Sequence, residues 1–178
     1  VIDCLRYDQW LVMEKLLTDD FKIDKTFYYG ILPTATSYSR NALFAGLYPS
    51  EIEQYYPDLW YGDDEDETSM NKYEKDLLQL QLDRKKIHLR SDLKFVKVID
   101  PEYGRNFEHN IKSYHNSHLS AVVINFLDMI AHGRSDSDLL KEIAPDEPAY
   151  RSLTNSWFSH SYLISTFKAI AAMGKAKV

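Results

Sequence analysis

The amino-acid sequence predicts an α/β domain built on a mostly parallel central sheet, and three observations point there. Short apolar or aromatic runs at residues 1–4, 27–32, 95–100 and 121–127 alternate with longer segments whose apolar side chains recur at helical spacing. The run from Ala121 to Leu127 (AVVINFL) is the most apolar of all, too short for a membrane and suited to a central parallel strand. With 178 residues, 44% of them hydrophobic, the chain has one domain's worth of core.

The elements follow in order. Residues 1–4 read as a short buried strand, and 7–17 as a helix whose apolar face carries Trp10, Leu11, Met13 and Leu17. Residues 27–32, aromatic and β-branched between Asp24 and Pro33, predict a second strand. A helix is expected over 36–45, stopped by Gly46. From 55 to 67 the chain turns acidic and irregular, and the run at 63–67 reads as a solvated loop. A polar amphipathic helix over 71–86 leads to a third strand at 95–100. After the apolar run, a short helix is expected over 135–143 and one long helix over 148–173, burying Trp157, Tyr162, Leu163, Phe167 and Ile170. No internal repeat is visible. Both ends read as cuts inside strands, VIDCL at the start and GKAKV at the close, so the expectation is an excised piece of a longer chain.

Charge and cysteine usage narrow the function classes. A net charge of -6 does not offer the phosphate neutralisation that stable duplex DNA binding needs, although bound metals would still allow a nucleotide ligand. The single cysteine, Cys4, excludes an internal disulfide and fits a reducing compartment. No membrane span and no signal pattern appear, so a cytoplasmic location is expected.

Ligands of parallel sheets sit at the carboxyl ends of the strands. Asp3 ends the first predicted strand, the Thr34-Ala35-Thr36 segment follows the second, and Asp128 follows the apolar run. A hydroxyl at 34 or 36 would lie beside free helix-start amides, where a phosphate is welcome, although on local sequence alone a plain N-cap is the favoured reading. Asp128 and His132, four apart, present carboxylate and imidazole on one helical face, a zinc-suited pair; capping by Asp128 with His132 at the surface competes. A buried Asp3 is costly unless paired or metal-bound, with Arg6 as the rival ion-pair partner. His160 reads as a satisfied helix-face histidine or a substrate contact. His109, His115 and His118 read as surface or loop residues, and Tyr28, Tyr29, Tyr55, Tyr56 and Tyr61 as core and rim packing.

Two stretches, VIDCLRYDQW from Val1 to Trp10 and ILPTATSYSRNALFAGLYPSEI from Ile31 to Ile52, resemble the PglZ domain of the alkaline-phosphatase superfamily. The similarity continues through the apolar run and Trp157-Phe-Ser-His160, and in detail is nearest the output domains of PorX-type response regulators linked to type IX secretion. The resemblance implies an alkaline-phosphatase-like three-layer fold, here incomplete, and a two-zinc site, with Mn2+ or Mg2+ as substitutes. Asp3 and Thr36 would bind one metal, and Asp128 and His132 the other. Thr36 would be the nucleophile that forms a phosphothreonine, with Thr34 the fallback, while Arg40, Asn41 and His160 would contact substrate. Expected substrates are small phosphodiesters, cyclic or linear oligonucleotides among them. An upstream receiver domain is the expected partner, and homodimerisation is left open. The family's Asp-His-Gly motif and last histidine ligand do not occur within these residues, so the 178 residues alone are expected to be inactive. The rival is a catalytically silent domain of the same fold that binds a ligand or a protein.

Overall fold

The computed structural model describes residues 1–60, 71–174 and 176–178. The acidic run at 63–67 lies outside the described residues. So does residue 175, where a strand was expected to begin; 176–178 have no regular structure. Two compact units emerge, one from residues 1–24 and 94–178, the other from 25–93.

The larger unit is the α/β part. β1 (Lys94–Val98) and β2 (Ser120–Ile124) pair in parallel, Lys94 opposite Ser120 and Val98 opposite Ile124. Parallel neighbours need a crossover, supplied here by α5 (Pro101–Asn110) and a 3-10 turn at Ile111–Tyr114. Asp100 starts that helix: its carboxylate accepts from the amides of Glu102 at 2.8 Å and Tyr103 at 2.9 Å, and Pro101 follows. The chain's first residues line the far side of β2. Asp3 N donates to Ile124 O and Ile124 N to Val1 O, both at 2.9 Å, and Ile2 bridges Ile124 in parallel. The expected first strand is thus a single bridge in length, and the sheet is two strands plus this edge.

Helices cover it. α1 (Tyr7–Glu14) packs on α8 (Glu147–His160), and α9 (Tyr162–Ala172) packs on α5. Met13, Val98, Phe107, Ile124, Phe158 and Leu163 form the centre of the core. The buried Gln9 ties α1 to α8 by donating from Nε2 to Thr154 Oγ1 at 2.8 Å. α6 (Phe126–Asp136) follows β2 directly, and α7 (Asp138–Ile143) starts from Ser137. The long helix expected over 148–173 is two helices. Ser161 is extended (φ -88, ψ 162) and its hydroxyl accepts from Leu163 N at 3.2 Å, capping α9 as a new start. Apolar periodicity runs across the break, which is why the sequence reads as one helix.

The smaller unit contains α2 (Thr36–Ala45), α3 (Pro49–Tyr55), a 3-10 turn at Pro57–Leu59 and α4 (Glu74–Arg84). Gly46 ends α2 with φ 61, its amide donating to Ala42 O at 2.8 Å, a left-handed cap that glycine adopts at little cost. α2 packs on α4, with Phe44, Ala45, Ile52 and Leu77 buried. The strand expected at 27–32 does not form. Its residues pair with no strand among the described residues, and Phe27, Tyr28 and Tyr29 are exposed, so these two tyrosines are not packing residues. β-propensity expresses a fit to a half-buried pleated surface, and without a neighbouring strand it stabilises nothing.

Candidate functional site

The carboxyl rim of the sheet in the larger unit gathers three of the expected residues. Asp3 stands level with the end of β2, its side chain nearly buried, and its Oδ1 accepts from Cys4 N at 3.1 Å. Arg6, the rival partner for Asp3, is held by Asp8 and Glu147 instead. Asp128 sits in the first turn of α6, where the helix dipole favours a carboxylate. Its Oδ1 accepts from Cys4 Sγ at 2.9 Å, so Cys4 links the Asp3 edge to the Asp128 helix. Cys4 adopts φ 53, a left-handed conformation that costs a non-glycine residue roughly 1–2 kcal/mol and here aims the thiol at that carboxylate. His132, one turn on, brings Nε2 to 3.4 Å from Asp128 Oδ1 while its side chain stays 69% exposed.

Two residues on this rim escaped the sequence reading. Cys4 is one; only its place beside Asp3 hinted at it. The other is Asn125, the residue that hands β2 over to α6, whose buried Oδ1 has no hydrogen-bond partner. A helix-start asparagine was the available signal.

Thr34, Thr36, Arg40 and Asn41 belong to the smaller unit. Thr36 is the first residue of α2, with Ala35 at the cap position, so Thr36 is not the N-cap. No hydrogen bond of its hydroxyl occurs among the described residues; its carbonyl accepts from Asn71 Nδ2 at 3.3 Å. Thr34 is exposed, and its carbonyl receives the Ser39 hydroxyl at 3.4 Å. Arg40 differs from the expected phosphate contact. It is buried, and its Nε and Nη2 donate to Glu74 Oε1 at 2.7 Å and Oε2 at 2.8 Å, so its fork already grips a carboxylate of its own. Asn41 is also buried, its Oδ1 accepting from Asn71 Nδ2 at 3.3 Å. His160, in the larger unit, closes α8 at the surface with Nδ1 2.8 Å from Ser156 O and 3.0 Å from Ser159 Oγ.

Against this geometry the chain was compared with known proteins. The family model for the BREX system PglZ alkaline phosphatase-like domain matches residues 1–175. The chain belongs to the PglZ family. No curated protein gives a significant match. PglZ membership accounts for the mixed helix and parallel-strand architecture and places the chain in an alkaline-phosphatase-like, phosphoesterase-type superfamily. Among the described residues, no helix is long and apolar enough to cross a membrane.

Carboxylate, imidazole and thiol are zinc's preferred ligand types, and Asp128 brings the other two within 3.4 Å of one oxygen. The orphaned Asn125 Oδ1 on the same rim is a further polar atom without a protein partner. Among the described residues, no group of three or more His, Cys, Asp or Glu side chains is gathered closely enough to hold an ion. The rim therefore fits as a partial donor set, in which Asp128 and His132 supply two of the four ligands a closed zinc site requires.

Proposed function

We propose that this PglZ domain contributes to a metal-dependent phosphoesterase that cleaves small phosphodiesters, nucleotides or short oligonucleotides among them. The observation that carries the reading is the convergence of Asp3 and Asp128 at the carboxyl end of the parallel strands, with Cys4 between them and His132 one turn along. Asp128 and His132 would hold one ion, and Asp3 is the carboxylate we assign to a second. Zinc so bound would supply Lewis-acid charge for the phosphoryl oxygens; Mn2+ or Mg2+ would serve the same role. Thr36 is the nucleophile we assign. Among the described residues its hydroxyl makes no hydrogen bond, and it stands at the start of a ten-residue helix, where first-turn amides and the dipole favour an anion. Thr34, exposed two residues before Thr36 and outside the helix, is the fallback. The biological setting we infer is the output domain of a PorX-type response regulator, driven by an upstream receiver domain in the cytoplasm.

The test uses the complete protein. Thr36→Ala should lower turnover of a chromogenic phosphodiester by at least about a thousandfold while the protein still binds zinc. Asp128→Asn should lower bound zinc by elemental analysis. Hydrolysis that survives Thr36→Ala removes the nucleophile assignment, and a wild-type protein that binds none of Zn2+, Mn2+ and Mg2+ removes the enzyme.

A further inference from the structure

A cleft of about 360 Å³ opens in the larger unit, lined by Cys4, Arg6, Ala131, Arg134, Ser135 and Tyr150. It abuts the rim, because Cys4 forms one wall and touches Asp128. Two guanidiniums from different elements meet there, Arg6 just before α1 and Arg134 near the end of α6. Both lie over the buried Tyr150 ring, 5.7 and 5.0 Å from its centre, which steadies the two forks.

Glu147 shows what this pair is built to hold. One of its oxygens, Oε2, pairs with Arg6 Nη2, and the other, Oε1, accepts from Arg134 Nη1 at 3.1 Å, so a single oxyanion bridges both guanidiniums. That carboxylate is the most exposed part of the arrangement: its side chain is 48% exposed and rides on the first turn of α8. Arg6 is anchored independently, its Nε and Nη2 donating to Asp8 at 3.0 and 2.7 Å. A guanidinium carries five N–H donors, and Arg134 commits only one nitrogen to Glu147. Counting Arg151, which pairs with Asp8 at 3.1 Å, three arginines face two carboxylates in a chain of net charge -6. Arg6 holds Asp8 and Glu147 below the usual carboxylate range, so both compete as anions near neutrality. The Tyr150 hydroxyl has no partner of hydrogen-bond geometry; Gln9 lies near it, but its amide is committed to Thr154 and to Arg6 N.

We propose that this cleft is an anion subsite that takes the phosphate of a small phosphorylated ligand between Arg6 and Arg134, displacing Glu147. The cleft's volume lies at the small end of ligand pockets, enough for a phosphate with a sugar attached. Planar forks that match phosphate oxygens suit that anion better than ammonium groups would. The identity of the ligand as substrate rests on the phosphoesterase reading; the subsite itself does not.

The experiment is calorimetric titration of adenosine 5'-monophosphate, and separately of inorganic phosphate, into the complete protein stripped of metal. Arg134→Gln should weaken adenosine monophosphate binding about tenfold, and Glu147→Gln should strengthen it several-fold by removing the resident competitor. Arg151→Gln, in the same ion-pair chain but outside the cleft, should leave it within about twofold. Tighter binding in Glu147→Gln is the result that a merely structural network does not produce. No binding by the wild type, or weaker binding in Glu147→Gln, overturns the proposal, and the latter variant decides the matter even if Arg134→Gln fails to fold. Binding with all three effects, in a protein without hydrolytic activity, would retire the enzyme and keep the subsite.

Discussion

Replacing Glu74 by Gln is the sharpest test of what Arg40 does. Both members of the pair are out of water, with side chains 6% and 0% exposed, and the contact is bidentate. Removing one charge leaves a guanidinium buried against a neutral amide. Breaking a buried pair in this way costs about 3–5 kcal/mol, because the remaining ion loses its compensation while staying desolvated. Gln keeps one acceptor for the fork, which places Glu74→Gln near the lower end and Glu74→Ala near the upper. For a chain of this length that is roughly 6–20 °C in Tm. Replacing both partners, Arg40→Met with Glu74→Leu, should cost less than Glu74→Ala alone, since the guanidinium and the carboxylate leave together. Trp60 is the one tryptophan of the smaller unit and lies 5.7 Å from the Tyr38 ring on α2. Its fluorescence in a Trp10→Phe/Trp157→Phe background therefore reports urea unfolding of that unit. A Glu74→Gln cost under about 1 kcal/mol would refute the buried pair and return Arg40 to the list of phosphate ligands.

Three further outcomes follow from the packing. Gly104→Ala should destabilise by about 1–2 kcal/mol in urea titration: a Cβ there runs into the Tyr162 ring, and about 1–3 kcal/mol of overpacking outweighs at most about 1 kcal/mol gained in helix propensity; a stabilised variant would show that the ring yields. Gly46→Ala should cost about 1–2 kcal/mol in the same assay, because φ 61 strains any side chain; the nearby Gln81 amide end can move aside. Tyr162 is pushed up to about 12 by burial first and by the Asp100 charge second. Its folded pKa lies above the unfolded value near 10, so the stability it contributes is fully present below pH 10 and lost as pH rises towards 12. Tyr162→Phe should flatten that alkaline decline in urea midpoints measured from pH 9 to 12; an unchanged slope would assign the decline to other groups.

The parts of the fold legible in the sequence are those specified by local chemistry. Gly46 marks the end of α2 because only a residue that tolerates positive φ can cap it so. The helix that starts after Asp100 went unread, with Asp100 assigned to the strand before it, although an aspartate ahead of a proline satisfies helix-start donors and fixes φ. The strands at 94–98 and 120–124 were readable as short apolar runs in a mostly parallel sheet, but that they pair with each other was not. What failed was set by neighbours. Residues 27–32 carry strand composition yet meet no partner edge among the described residues, and the break at Ser161 rests on one hydroxyl that apolar periodicity ignores. Arg40 looked like a phosphate ligand for the same reason: nothing near it in sequence shows that Glu74, thirty-four residues away, fills its fork.

The site divides along the same line. Strand ends and helix starts fix where Asp3 and Asp128 go, because the carboxyl rim of a parallel sheet is a consequence of topology. What those residues touch there depends on details below the resolution of pattern. The contact that joins them is made by Cys4, which the sequence marked only by its place beside Asp3, held at φ 53 so that its thiol meets Asp128. Substituting glycine at that position would relieve the backbone and remove the bridge at once, whereas serine would keep the bridge and the strain. Backbone conformation and donor identity are therefore separable at this one residue, and zinc content in Cys4→Gly set against Cys4→Ser shows which of the two organises the rim. Equal retention in both would mean that Asp3 and Asp128 are held by the strands alone, and loss in Cys4→Gly only would make the side-chain bridge part of the site.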